Sequence, residues 1–393
     1  MQKISPQHTG GAAATAPPIE TVRAAALRPR SSILFLAVYL SLTRGAWAGP
    51  YTEAGVNGYI GDDRRHANPL SDSDARLNPI FRGWASDFKN YLPADDVWSG
   101  DWDDPTRALG PVTGDNFDVV SLGDLDEVEI SAGHRPGEIT LIFANPGDAN
   151  DANHIRDANG YDFVVFENAF LSNYDTGGGS VQGRMLAELA HVEVSSNGAD
   201  FVRFGSVSLT AGVVGPYGTI EISDVFNLAG KHPNAYGVCT GTAFDLHQLA
   251  DHPLVAEGTV DINDIHYVRI VDIPGSGDFL DSAVHHVDPN TWPSWTNYDA
   301  SHAVYDAWLT EGSGGLDLEA VGVLKQQEFS GDINLDGQVD FSDFAWFASS
   351  LGTHFGQAGW IGRCDLAEPK DLVVDARDLA MFTGQWLKTE KWR

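Results

Sequence analysis

Two stretches near the C-terminus constrain this chain of 393 residues most tightly. The run GDINLDGQVDFSDFAWF, Gly331 to Phe347, sets Asp332, Asn334, Asp336, Asp340 and Asp343 within twelve positions, around a central Gly337. Counted from Asp332, these side chains fall at one, three, five, nine and twelve, with the glycine at six and Gln338 at seven. Alternate residues of a tight loop point inward together, and the glycine permits the sharp turn. Five converging oxygen donors in this register are the spacing of a calcium loop, in which Gln338 supplies its backbone carbonyl. Asp343 stands where glutamate is usual, so the last ligand has a shorter reach.

Beyond the loop, Phe344, Phe347, Ala348 and Leu351 recur at helical spacing. The whole unit then returns 35 residues on, VDFSDFAWF (339–347) aligning with VDARDLAMF (374–382). In the second loop Asp371, Asp375 and Asp378 take positions five, nine and twelve. Ala367 and Pro369 fall at one and three, and Leu372 replaces the glycine; a two-residue insertion brings in Asp365 as first ligand. Two amphipathic helices made by duplication can bury their faces on each other, and so small a unit leans on bound metal for stability.

Residues 330–388 thereby resemble a type I dockerin, with two calcium loop–helix repeats and aspartate at position twelve. The resemblance implies docking onto a cohesin-like protein or another cell-surface protein. It implies that positions ten and eleven of each repeat, here Phe341, Ser342, Ala376 and Arg377, choose the partner. These differ from the small hydroxyl pairs of cellulosomal dockerins.

Upstream the pattern changes to short strands between glycine and aspartate turns, as in EITLIFAN (138–145), YDFVVFENAF (161–170) and IHYVRIVDI (265–273). HVEVS alternates, SNGAD reads as a hairpin turn, and VVF and IVD are apolar on both parities, as strands covered on both faces are. A mainly β chain with a two-sheet sandwich over 116–328 is the expectation. Residues 49–115 read as a loop-rich extension of it. The blocks AELAHVEVSSNGADFVRF, HYVRIVDI and GLDLEAVGV resemble galactose-binding-like jelly rolls. More broadly, Asn116 to Leu324, with FVVFENAF, NLAGKHPNAYG and GSGGLDLEAVGVL, is similar to secreted bacterial cell-surface proteins of the PEP-CTERM type. In many of those a sorting segment ends the chain where the dockerin-like module stands here. That resemblance implies a surface or matrix protein and brings no established activity.

The N-terminus fits such a location. Arg23, Arg28 and Arg30 precede the apolar run Ile33 to Leu42, and Ala46-Trp47-Ala48 forms a small-x-small site. Basic, apolar, cleavable is the order of a secretory signal, so residues 1–48 read as a signal peptide, its apolar run too short for a comfortable membrane span. The mature chain is expected to be extracellular or at the cell surface, without a transmembrane anchor. Residues 1–48 hold five basic groups and one acidic, so their removal takes the net charge from −31 to −35. Such a surface repels phosphate backbones, excluding nucleic acid as a partner, and suits divalent cations. Cys239 and Cys364 fall in different regions, and the sequence leaves open whether they pair.

Signs of catalysis are sparse. There is no HExxH, no GxSxG and no phosphate loop with its lysine. Glu167, Glu188, Glu193 and Glu319 lie in or beside expected strands, and Glu167, interrupting an apolar strand, is the weak catalytic candidate. Its bland alternative is a structural carboxylate. Asp272, Asp278, Asp281, Asp288 and Asp317 could hold an ion at the sandwich edge. Trp292 and Trp295, in WPSW, are the candidates for stacking on a polysaccharide; core packing is the alternative. The combined expectation is a secreted, non-catalytic modular protein with calcium as cofactor. The runner-up is a polysaccharide-degrading O-glycosyl hydrolase tethered through its dockerin-like tail.

Overall fold

The computed structural model describes residues 49–392 except residues 99, 145–152, 176–178, 283–301, 356 and 369. The expected signal segment, Trp292, Trp295 and Asp288 lie outside the described residues. The described chain is mainly β.

Eleven strands form two antiparallel sheets. In chain order they are Val56–Asn57 (β1), Phe81–Trp84 (β2), Asp87–Leu92 (β3), Val120–Ser121 (β4), Glu138–Ile142 (β5), Phe163–Glu167 (β6), Ala190–Ser195 (β7), Val202–Arg203 (β8), Thr240–Phe244 (β9), Tyr267–Asp272 (β10) and Asp317–Leu324 (β11). One sheet runs β1-β9-β6-β11-β2, with β4 also on β11; the other runs β8-β7-β10-β5-β3.

Side-chain parity explains how they stack. On β6, Phe163 and Val165 enter the core between the sheets, against Ile139, Leu141, Val192, Val194, Val268 and Ile270. Val164 and Phe166 point the other way, into a second apolar layer with Val56, Ile80, Val112, Phe81 and Trp84. Both parities of VVF are therefore covered, the cause of its unbroken apolar run. On β11 a register shift between Leu318 and Ala320 keeps Leu318 and Val321 inward while Ala320 turns outward. The second sheet instead shows a polar outer face: Glu193 accepts from Arg203 Nε at 2.7 Å and Arg269 Nε at 2.6 Å across its two neighbouring strands.

Residues 49–115 are woven into this body. They supply β1 to the edge beside β9, β2 to the edge beside β11 and β3 to the edge beside β5. The block NLAGKHPNAYG ties them down: Lys231 pairs with Glu53 at 2.7 Å, and His232 meets Thr242 Oγ1 and the Glu53 carbonyl.

Among the described residues the longer helices are Glu127–Ala132 (α1), Phe341–Ser350 (α2) and Ala376–Gly384 (α3). The duplication read from sequence is a reciprocal fold. Val339 exchanges backbone hydrogen bonds with Leu387 and Lys388, after α3. Val374 does the same with Gly352 and Thr353, after α2. Each bond recurs 35 positions on in the other repeat. Phe347 and Phe382, equivalent in the two repeats, stack at 5.4 Å and 22°. This cluster does not stop at the module: Tyr51, Val207 and Phe226 of the body complete it, and Leu335 and Trp392 pack on the outer layer of the first sheet. Both cysteines are buried and free, Cys239 in the outer layer and Cys364 in the module core. Among the described residues no helix is long and apolar enough to cross a membrane.

Candidate functional site

In the first loop Gly337 adopts φ +86°, the left-handed conformation the sharp turn needs. Asp332 is fully buried and accepts from Asp336 N through Oδ1 (3.1 Å) and Gly337 N through Oδ2 (2.9 Å). Asn334 Oδ1 accepts from Asp336 N, and Asp336 Oδ1 from Gln338 N. Asp343, also fully buried, accepts from Asn334 N (3.0 Å) and Asp340 N (2.8 Å). With Asp340 accepting from Ser342 N, Asp340 and Asp343 form a capping box at the start of α2. These two acids therefore serve the helix as well as the loop.

The second loop repeats this pattern with the two-residue insertion. Asp365 Oδ2 accepts from Leu372 N at 2.8 Å, as Asp332 does from Gly337 N, and Leu372 holds φ +61° in the glycine's place. Asp378 accepts from Leu366 N, Ala367 N and Asp375 N, and Asp375 caps α3. Asp371 is drawn outward, to Arg377 Nη1 at 2.5 Å. Asp365 thus stands at position one, as the insertion requires. Its Oδ1 is buried without a hydrogen-bond partner.

Burial governs the charge of both loops. It pushes Asp332 well above the usual carboxylate range, with the Asp343 charge adding to it. It pushes Asp343 up to about 6 and Asp365 up to about 7. Acids so placed need either protons or a cation. Every donor is a hard oxygen, which suits calcium. The loop acids do not form a cluster with three oxygens within 4.8 Å of one another, because their oxygens are turned onto backbone N–H groups.

The four residues expected to choose a partner stand together with the helix starts. Phe341, Ser342, Ala376 and Arg377 are all exposed, Phe341 at 63 % and in edge contact with Trp386.

In the body, Glu167 ends β6, Asp317 begins β11, Asp272 ends β10 and Glu188 precedes β7, so antiparallel pairing gathers them at one end of the sandwich. Burial raises all four; the Asp317 charge adds to it at Glu167 and Glu188, and the Asp124 charge at Asp272, while hydrogen bonds hold Asp317 back. Glu167 is 2 % exposed, and its Oε2 lacks a partner. It lines neither the cavity beside Asp157 and His247 nor the one beside Val255 and Asp261. Glu193 and Glu319 are structural: Glu193 neutralises two arginines, and Glu319 accepts from Thr113 N, Gly114 N and Asn234 Nδ2. Asp278 accepts from Ser276, and Asp281 from Ser208 N and His302 N.

One acid cluster escaped the sequence reading. Asp157, Asp162 and Asp245 each place an oxygen within 4.8 Å of the others. The visible signal was the run DANGYD, 157–162, in which Gly160 (φ +82°) turns the chain between the first two acids. Asp245, 83 residues further on, is brought in only by strand pairing.

No protein-family model matches the chain, and no curated protein matches it.

Proposed function

We propose that this is a secreted, non-catalytic modular protein. In this reading its C-terminal loop–helix pair takes up calcium and docks the sandwich to a cohesin-like or other cell-surface protein. One observation carries it: a reciprocal 35-residue duplication holding paired buried acids, Asp332 with Asp343 and Asp365 with Asp378, in equivalent positions. Bound calcium would neutralise Asp332, Asp343 and Asp365, whose charged forms burial disfavours, and would fix the starts of α2 and α3. Phe341, Ser342, Ala376 and Arg377 are the exposed residues carried on those starts. A binding or structural role for the sandwich, including any polysaccharide contact, rests on sequence resemblance.

The hydrolase reading finds less support. It asks Glu167 to meet substrate, and Glu167 is enclosed among other acids.

The test uses the full chain. Calcium should raise its melting temperature, and Asp343→Ala should reduce that shift. A partner recovered from the secretome should be released by EDTA and held more weakly by a Phe341→Ala, Arg377→Ala double variant. An unchanged melting temperature on adding calcium would refute the calcium step. Retention unaffected by the double variant would refute the docking face. Turnover of a polysaccharide, abolished by Glu167→Gln, would restore the hydrolase reading.

A further inference from the structure

We infer that Asp157, Asp162 and Asp245 form a further divalent-cation site, of calcium type, at the seam between the sandwich and the C-terminal module. It lies at the opposite end of the sandwich from Glu167 and uses none of the loop residues.

The topology builds it. Phe163 of β6 and Phe244 of β9 are register partners, so Asp162 and Asp245 flank a paired position on neighbouring strands. Asp157 approaches from the segment anchored by the Ile155–Ile265 bridge. An oxygen from each of the three lies within 4.8 Å of the others, about twice a calcium–oxygen bond.

A second observation points to a ligand. Asp162 is 3 % exposed. Its Oδ2 accepts from Leu246 N at 2.8 Å, while its Oδ1 is buried with no hydrogen-bond partner. The Ala158 N–H faces the same carboxylate without reaching Oδ1 in hydrogen-bond geometry. A buried carboxylate oxygen left unpaired beside two further carboxylates is costly unless something positive meets it. Three cationic side chains face the cluster and none hydrogen-bonds Asp162 Oδ1: His247 Nδ1 lies 3.3 Å from Asp157 Oδ2, Lys370 acts on Asp245, and Arg82 acts on Asp162 while its guanidinium donates to the Leu324 and His154 carbonyls.

There is also room and a way in. A cavity of about 400 Å³ adjoins the cluster, lined by Asp157, Ala158, Asn159, His247, Gln326 and Gln327. It admits the waters that calcium keeps when a protein supplies fewer than its usual six to eight oxygens. Three carboxylates with amide side chains nearby, and no thiolate, favour a hard cation over zinc. Gln326 and Gln327 belong to the segment joining β11 to the module, and Gln327 Oε1 accepts from Arg363 Nη2 at 2.7 Å. An ion here therefore sits against the segment that joins the two parts.

The experiment counts calcium bound to the full chain by equilibrium dialysis with radioactive calcium. Asp162→Asn and Asp157→Asn should each lose about one equivalent relative to wild type, with the far-ultraviolet circular dichroism unchanged. Combining Asp157→Asn with Asp332→Ala should lose about one more than Asp332→Ala alone. Should buried Asp162→Asn misfold, the half-buried Asp157 and Asp245 variants carry the test. Equal stoichiometry in folded Asp157→Asn, Asp245→Asn and wild type overturns the site. Displacement of that equivalent by stoichiometric zinc overturns its assignment to a hard cation. The loops are judged separately: if Asp332→Ala costs no calcium, the loop reading fails while this site stands on its own variants.

Discussion

At the scale of single residues, the same backbone conformation has opposite consequences according to what surrounds it. Leu335 and Leu387 both hold left-handed φ, +61° and +62°. That conformation costs a residue with a Cβ about 1–2 kcal/mol. Leu387 is 62 % exposed and gains little for it, so Leu387→Gly should raise stability by about 1 kcal/mol in urea unfolding. Leu335 is 4 % exposed and packs in the outer layer of the first sheet. Burying a leucine is worth about 1.5–3 kcal/mol, which outweighs the strain, so Leu335→Gly should lower stability by about 1–2 kcal/mol. Equal shifts in the two variants would contradict this division. Sequence could show Gly337, since a glycine in a ligand-spaced loop announces its turn. It could not show Leu387, whose N–H donates to the Val339 carbonyl in the reciprocal pairing of the repeats, or Leu335, which turns the loop between Asn334 and Asp336. Asp332, Asp336 and Asp343 were legible because their spacing is local. The Asp157 cluster was not, because Asp245 arrives by strand pairing.

At the scale of elements, the ends of the strands decide how stability responds to pH. Asp124 and Asp317 are pushed up to about 7 by burial, and Glu167, Glu188, Asp272 and Asp306 well above their ordinary values. A raised folded-state pKa gives stability that is fully present below the unfolded value, 3.8 for aspartate, and is lost as pH rises through the folded one. His191 and His232 oppose this: burial lowers both to about 3, so their contribution is lost as pH falls below 6.5. The acids outnumber the histidines and prevail. In EDTA the melting temperature should therefore fall as pH rises from about 4 through about 7, where Asp124 and Asp317 have ionised. Asp317→Asn, uncharged throughout, should flatten that slope. A melting temperature that climbs across the window, or a variant as steep as wild type, would show that the cluster does not control it. The strands bearing these acids were readable from their alternation and apolar runs. Their convergence at one end was not, since it depends on strand order, which no short pattern encodes.

At the scale of the whole molecule, the boundary drawn from sequence at residue 330 marks a change of element type, while the packing crosses it. Tyr51 is fully buried between Phe226 of the body, at 5.2 Å, and Phe355 of the module, at 5.7 Å. Arg363 bridges from the module to Gln327 and lies over the Tyr161 ring at 4.9 Å. Residues before β1 and after α2 thus share one apolar cluster, and neither region completes it alone. Truncating a large buried aromatic costs about 3–5 kcal/mol, comparable with a third of a typical domain's stability. If the two parts melt as one, Tyr51→Ala should lower a single calorimetric transition without splitting it. Hydrogen exchange should quicken alike in α3 and in β6. If the module is a separate unit on a tether, the same variant should leave two transitions and alter exchange only in the module. The first outcome would make the proposed calcium uptake in the loops a stabiliser of the entire chain, because a cation bound to the folded module would then act on every element in the same cooperative unit.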